Sequence, residues 1–241
     1  MMAREGTERV RASVRMGAGT LSIGGGADVL MKGAFTYPDA SLKPDVSYDV
    51  EGGEGRLVVK QPNTEHLSVD DSESQWDVAF DDDVPLGLEV GLGSGKARVR
   101  LSDSNLTALK SKVGSGNLDA ALMGTMAQLG EVGLKLASGR TRVALDGAFP
   151  QLSTYEASCA SGILKTALLG SFDQLATVHL KIASGDVHLQ LVGAFPELTT
   201  LAFDAVSGTA DLELGDAEVS NLSIALKCVS GNLTVRFPAE T

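Results

Sequence analysis

The sequence predicts an all-β protein, a parallel two-sheet β-solenoid of roughly 23-residue coils with a degenerate N-terminal part. Three observations predict it. Ser-Gly recurs at Ser94-Gly95, Ser115-Gly116, Ser138-Gly139, Ser161-Gly162, Ser184-Gly185, Ser207-Gly208 and Ser230-Gly231, with one step of 21 residues and five of 23. A fixed period in this range marks stacked repeats. Apolar and polar residues alternate on both sides of each Ser-Gly, as half-buried strands do. Aromatic residues are 5% of the 241 while glycines number 28, which suits thin coils with tight turns better than a bulky globular core.

Residues 1–9 are polar and are expected to fray as a disordered tail. Ala12, Val14 and Met16 then alternate before Ala18-Gly19, and Leu21 and Ile23 after it, so this is a cruder coil with Ala-Gly in place of Ser-Gly. Gly33-Ala34-Phe35 returns later as Gly147-Ala148-Phe149 and Gly193-Ala194-Phe195. Val46, Tyr48 and Val50 alternate, Gly52-Gly53-Glu54-Gly55 turns the chain, and Leu57 and Val59 alternate again, which reads as a second crude coil with its corner at Glu54-Gly55. Residues 61–75 form an acidic loop that carries His66. Trp76, Val78 and Phe80 alternate as a strand, and Asp81-Asp82-Asp83 is a turn. Asp70, Asp71 and Asp81 to Asp83 supply the oxygens a calcium ion wants, but their spacing matches no calcium loop and favours a solvated acidic turn.

Two of these stretches carry a family resemblance. Residues 10–60 and 76–95, with the matching stretches MGAGTLSIGGGADVLMKGAFTY, LKPDVSYDVEGGEGRLVVKQP and SQWDVAFDDDVPLGLEVGLGSG, resemble the toast-rack domain of LiaF-like bacterial proteins. The later coils resemble the "putative adhesin" β-solenoid domains by repeat pattern. The resemblance implies an all-β solenoid without catalytic residues, linked in some relatives to cell-envelope stress responses. Many relatives carry transmembrane segments, and this chain departs from them there.

From residue 92 onward the coils align on their Ser-Gly. Seven residues after the serine stand Leu101, Leu122, Leu145, Leu168, Leu191, Leu214 and Phe237. Positions three and five after it are also inward, and the residues between them point to solvent. This is the A strand. Six, four and two residues before the serine lie triplets such as Val132, Leu134 and Leu136, which form the B strand. The residue just before each serine is small or β-branched. Connections such as DGAFPQL and VGAFPEL join A to the next B, with Phe149, Phe172 and Phe195 expected to plug the coil end and Leu152, Leu175 and Leu198 to return the chain to the core. Parallel A strands and parallel B strands then face each other at about 10 Å. Residues 10–91 are thus expected as degenerate coils and 92–241 as regular ones, in one continuous body.

The Ser-Gly is expected at the B-to-A corner, with its serines forming a hydroxyl ladder onto neighbouring backbone. A serine nucleophile would need a base and an orienting group. The histidines are His66, His179 and His188, none in such a context, and the last two fall on outward positions. No catalytic residue, cofactor or metal site is expected. Cys159 and Cys228 sit in equivalent places three coils apart, about 14 Å at the spacing of stacked strands. That is too far for a disulfide, so two buried free thiols are expected.

The net charge of −11 argues against nucleic acid and anionic lipid. No apolar run is long enough for a transmembrane helix and the N-terminus lacks a signal-peptide core, so a cytoplasmic location is expected, or the soluble part of an envelope-associated protein. Arg98, Arg100, Arg140, Arg142 and Lys165 cluster on the outer A face as a candidate interaction surface, and Lys110, Lys112, Lys135 and Lys181 on the outer B face. Such faces suit an extended anionic polymer, while interleaved Asp119, Glu156, Asp186, Asp211 and Glu213 favour a mixed surface. No outward column repeats threonine, which argues against an ice-binding ladder. The last coil leaves uncovered edges, softened by Pro238 and Glu240, where an unknown protein partner or a second copy would pair end to end. The reading is a non-catalytic structural or protein-interaction module. A self-assembling scaffold is the alternative, and a polysaccharide-binding or polysaccharide-processing solenoid stands behind it.

Overall fold

The computed structural model describes residues 6–62, 74–219 and 221–237. Two ten-stranded sheets face each other across one apolar core. Sheet B contains β1 (Arg9–Met16), β4 (Asp45–Glu51), β5 (Glu54–Lys60), β7 (Leu86–Leu92), β9 (Leu106–Val113), β11 (Glu131–Leu136), β13 (Thr154–Cys159), β15 (Thr177–Ile182), β17 (Thr200–Ala205) and β19 (Ser223–Cys228). Sheet A contains β2 (Thr20–Gly24), β3 (Met31–Thr36), β6 (Gln75–Phe80), β8 (Lys96–Ser102), β10 (Asn117–Thr125), β12 (Arg140–Ala148), β14 (Ile163–Ser171), β16 (Asp186–Ala194), β18 (Thr209–Glu218) and β20 (Asn232–Arg236).

From β7 and β8 onward the regular coils stack as the column alignment requires. Leu122 stands beside Leu101 and Leu145, and Leu168 beside Leu145 and Leu191. These leucines are essentially inaccessible to solvent. The last coil departs from the pattern. Leu233 and Val235 are only half-buried and Phe237 is 68% exposed, because no further coil covers them among the described residues.

The N-terminal part follows a different order. β7 and β8 stack on β1 and β2, not on β5 and β6, which lie on the other side of that first coil. The chain therefore builds outward from β1 and β2 in both directions. The second crude coil is a hairpin: β4 and β5 are antiparallel, and the turn is Gly52-Gly53, at φ +57° and +79°. Glu54-Gly55 is no corner but the first step of β5. Alternating residues around a Gly-Gly suit a hairpin and a coil equally well, and glycines at positive φ decide for the hairpin. The expected echo in Gly33-Ala34-Phe35 also fails, since β3 runs antiparallel to β6 and Phe35 meets Trp76 edge-on at 5.6 Å. Of the tail expected over 1–9, residues 1–5 lie outside the described residues, while Arg9 opens β1 and the Glu8 N–H bonds the Gly53 carbonyl at 2.9 Å.

The connections bind the A-strand ends together. Phe149, Phe172 and Phe195 are fully buried and stack with ring centres 5.1 and 4.9 Å apart, nearly parallel. Leu152, Leu175 and Leu198 each donate an N–H to the carbonyl of that coil's phenylalanine, closing a turn that returns the leucine to the core. Met126 and Leu129 play these parts one coil earlier. Within the core, the Tyr155 and Thr166 hydroxyls are hydrogen-bonded at 2.6 Å. Burial pushes the Tyr155 phenol well above its ordinary value, with the Thr166 bond opposing that rise.

Phe172→Ala should lose about 3–5 kcal/mol, the usual cost of emptying a buried aromatic site, because its ring is stacked on both faces. Urea denaturation followed by circular dichroism checks this; a loss below about 1 kcal/mol would contradict the packing described.

Candidate interaction surfaces

The Ser-Gly corner is a continuous backbone device. Each serine N–H donates to the carbonyl of the residue preceding the corresponding serine one coil earlier, as Ser161 does to Ala137 at 2.8 Å and Ser184 to Ala160 at 2.7 Å. At Ser94, Ser161, Ser184, Ser207 and Ser230 the hydroxyl donates to that same carbonyl, at 3.1 to 3.5 Å. Ser115 and Ser138 keep the N–H bond. With the hydroxyl so used, and the described imidazoles of His179 and His188 set against Asp204 and Asp211, the corner has the form of a structural ladder.

The glycines of the corner answer to stacking more than to turning. Gly95, Gly208 and Gly231 have positive φ. Gly116, Gly139, Gly162 and Gly185 do not, yet a Cβ on Gly139, Gly162 or Gly185 would strike the carbonyl oxygen of the corner glycine one coil before it. On Gly116 a Cβ would come within 2.7 Å of the Leu92 side chain and 3.0 Å of the Gly95 carbonyl. A second glycine file, Gly124, Gly147, Gly170 and Gly193, runs in register near the ends of the A strands.

On the outer A face, Arg98, Asp119, Arg142, Lys165, His188 and Asp211 form one column. Asp119 therefore splits the predicted basic cluster. Arg100 donates to both the Asp119 carboxylate at 2.8 Å and the Asp119 carbonyl at 2.9 Å. Arg98 and Arg100 border a recess of about 540 Å3 with Lys32, over a floor that includes Gly24, Gly33 and Ala79. Arg140, Arg142 and Lys165 lie apart, on β12 and β14.

His179 bonds Asp204 at 2.9 Å on the B face, and His188 faces Asp211 at 3.4 Å on the A face. The His179 bond leads the effects that hold the Asp204 carboxyl below its ordinary value. Glu89 is lowered too: partial burial raises it, but Lys112 and then Arg15 more than offset that. Both groups therefore favour the folded state above the ordinary carboxylate range, and that contribution is lost as pH falls through their depressed values.

In the aspartate turn, Asp81 accepts the Asp83 N–H at 3.0 Å and Asp82 accepts the Gly26 N–H at 2.7 Å. His66, Asp70 and Asp71 lie outside the described residues, as do Pro238 and Glu240. Among the described residues no three His, Cys, Asp or Glu side chains are grouped to hold a metal ion. No helix among them is long and apolar enough to cross a membrane.

One column was missed in the sequence. Thr154, Thr177 and Thr200 stand in register at the first positions of β13, β15 and β17, followed by Ser223. The expectation that no outward column repeats threonine is therefore corrected. It lay seven residues before each serine, one step beyond the three inward positions that define the B strand. The threonines are half-buried, and the next outward file is Glu156, His179 and Ala202, so no second threonine file flanks them.

Cys159 is buried and free, and its thiol donates to the Gly162 carbonyl at 3.2 Å. Burial pushes this thiol up, against the Gly162 bond and with the help of Asp186. Cys228 ends β19 three strands away in the same file.

A family model for the N-terminal domain of toast_rack, DUF2154, matches residues 1–144 of the 241. The chain belongs to this family. The toast-rack match extends past the first crude coils through β11 and into β12, so the family region and the regular coils share the same two sheets. A solved structure described as "a putative cell adhesion protein" from Clostridium sporogenes ATCC 15579 is similar to the chain at 18% identity. The likeness covers 85% of this chain and 96% of that one, with a TM-score of 0.41. No curated protein matches the chain.

Two outcomes follow from the corner. Gly162→Ala should cost about 2–3 kcal/mol, the range for a steric clash that the backbone must absorb, whereas Gly130→Ala, whose nearest neighbours are 3.9 Å away, should be near neutral. Paired urea titrations check the difference, and equal costs would contradict the stacking account. In a Cys228→Ser background, the raised, buried Cys159 thiol should resist a thiol reagent at mildly alkaline pH until denaturant opens the fold. Rapid labelling of the native protein would contradict its burial.

Proposed function

We propose that this toast-rack chain is a non-catalytic interaction module that joins other proteins at the edge of its last coil. The observation supporting this most directly is the contrast between its two ends. At the N-terminal end the outermost strands, β3 and β4, are antiparallel to their neighbours, and β4 carries Asp45, Asp49 and Glu51. Charges of this kind blunt an edge against pairing. At the other end β19 and β20 are parallel edge strands, and Leu226, Val229 and Phe237 are 50%, 83% and 68% exposed. Apolar side chains beside unpaired backbone groups favour a protein partner over a small ligand.

A self-assembling scaffold is the second reading, and charge favours it. β19 and β20 carry Lys227 and Arg236 and no acid, opposite in sign to β4. A contact between unlike ends does not close on itself and would extend into a filament. A role in an envelope stress response rests on the family resemblance, and a place in the cytoplasm or on the soluble side of an envelope protein rests on the sequence pattern alone.

Light scattering over a wide concentration range should show mass rising with concentration, or affinity purification from the native host should recover a defined partner. Val229→Asp, at a position too exposed to disturb the core, should abolish whichever is seen. A monomeric mass throughout, with no partner whose recovery depends on Val229, would overturn the proposal.

A further inference from the structure

The outer B face holds a straight row of cations. Lys60, Arg15, Gly91, Lys112, Lys135, Ser158, Lys181, Asp204 and Lys227 are register partners across successive strands. Six of these nine are Lys or Arg, in a chain with 20 such residues and a net charge of −11. Beside the row, along its middle, runs an open groove of about 700 Å3. One wall is Lys112, Lys135 and Lys181, with Ser158 between the last two. The floor is the small residues that precede the corner serines, among them the exposed Ala137, Ala160 and Ala183. Lys112 is tied to Glu89 at 3.1 Å, but neither Lys135 nor Lys181 enters an ion pair among the described residues. Asp204 also lines the groove, faces Lys181 in register and closes the row to anions at that end.

We propose that this groove binds a linear polyuronate, a glycan with a carboxylate on every ring, laid along the solenoid axis across the strands. Parallel strands repeat at ~4.8 Å, so Lys112 and Lys135 are one step apart and Lys135 and Lys181 two. In a twofold extended chain of 1,4-linked pyranose rings successive carboxylates point to opposite sides, so same-side carboxylates recur every second ring, roughly two strand steps, which is the separation of Lys135 and Lys181. The apolar faces of the rings lie on the alanine methyls, and Ser158, whose hydroxyl donates to the Leu134 carbonyl at 3.4 Å, offers its oxygen as an acceptor to the ring between Lys135 and Lys181.

Other anionic chains fit less well. An extended acidic peptide places same-side carboxylates about 6.8 Å apart, out of step with the lysines. Single-stranded nucleic acid relies on aromatic platforms for its bases, and no aromatic residue lines the groove. The groove ends at Asp204 and Val206, one coil short of the edge proposed above for protein partners, and its basic wall at Lys112 to Lys181 is tested by variants that leave Val229 in place.

Calorimetry of the full chain with polygalacturonate, its fully methyl-esterified form and inorganic polyphosphate tests the assignment. Polygalacturonate should bind, the ester should not, and polyphosphate should bind more weakly. The double variant Lys135→Ala/Lys181→Ala should lose about tenfold in affinity, while Arg98→Ala/Arg142→Ala on the opposite face should leave it unchanged. Ala160→Leu, which raises the floor without changing charge, should weaken binding too, with Ala183→Leu as its counterpart if the first perturbs the melting curve. Failure of polygalacturonate to bind would overturn the proposal. So would equal affinity for polyphosphate, or a floor substitution without effect, since either reduces the row to nonspecific electrostatics.

Discussion

The molecule depends on how closely one turn of backbone can lie on the next. Parallel strands pair only at ~4.8 Å, and that distance must hold at the corners as well as along the strands. Two glycine files make it possible, one through the Ser-Gly corners and one through Gly124, Gly147, Gly170 and Gly193. A side chain in either file would hold adjacent coils apart and break the pairing on both sides. The serine ladder then uses the proximity that the glycines allow, because its hydroxyls reach carbonyls one coil away.

Once the spacing is set, the side chains become columns. Inward columns fill the core with leucine and valine, and the phenylalanine stack seals the ends of the coils. Outward columns become straight files of like or alternating charge, and this is why a functional reading of the molecule is a reading of files. The A face alternates signs around Asp119, whereas the B face collects lysines over a floor of small residues. A protein acidic overall thus presents one narrow cationic line.

Much of this was legible in the sequence. Columns such as Leu101 to Leu214 read cleanly because seven aligned coils repeat one register, and a one-residue slip would bury charges such as Arg142 and Lys165. Direction was not legible. Val46, Tyr48 and Val50 alternate whether β4 runs with β5 or against it, and pairing order leaves no trace in alternation. The same limit hid the return of β7 to β1. Among surface residues, Arg98 to Lys165 and the interleaved Asp119 were both legible, but not the bond by which Arg100 turns onto Asp119. The exposure of Phe237 had no signal in its column, since burial there needs a further coil on top.

The position of β1 and β2 between two neighbours has a consequence for synthesis. These strands leave the ribosome first, yet each has one partner in the β5–β6 coil and another in the β7–β8 coil, so both flanks are filled only when residue 102 has emerged. Until then β1 and β2 each lack one of their two partners. After that point the task becomes local, since each new turn needs only the turn just made.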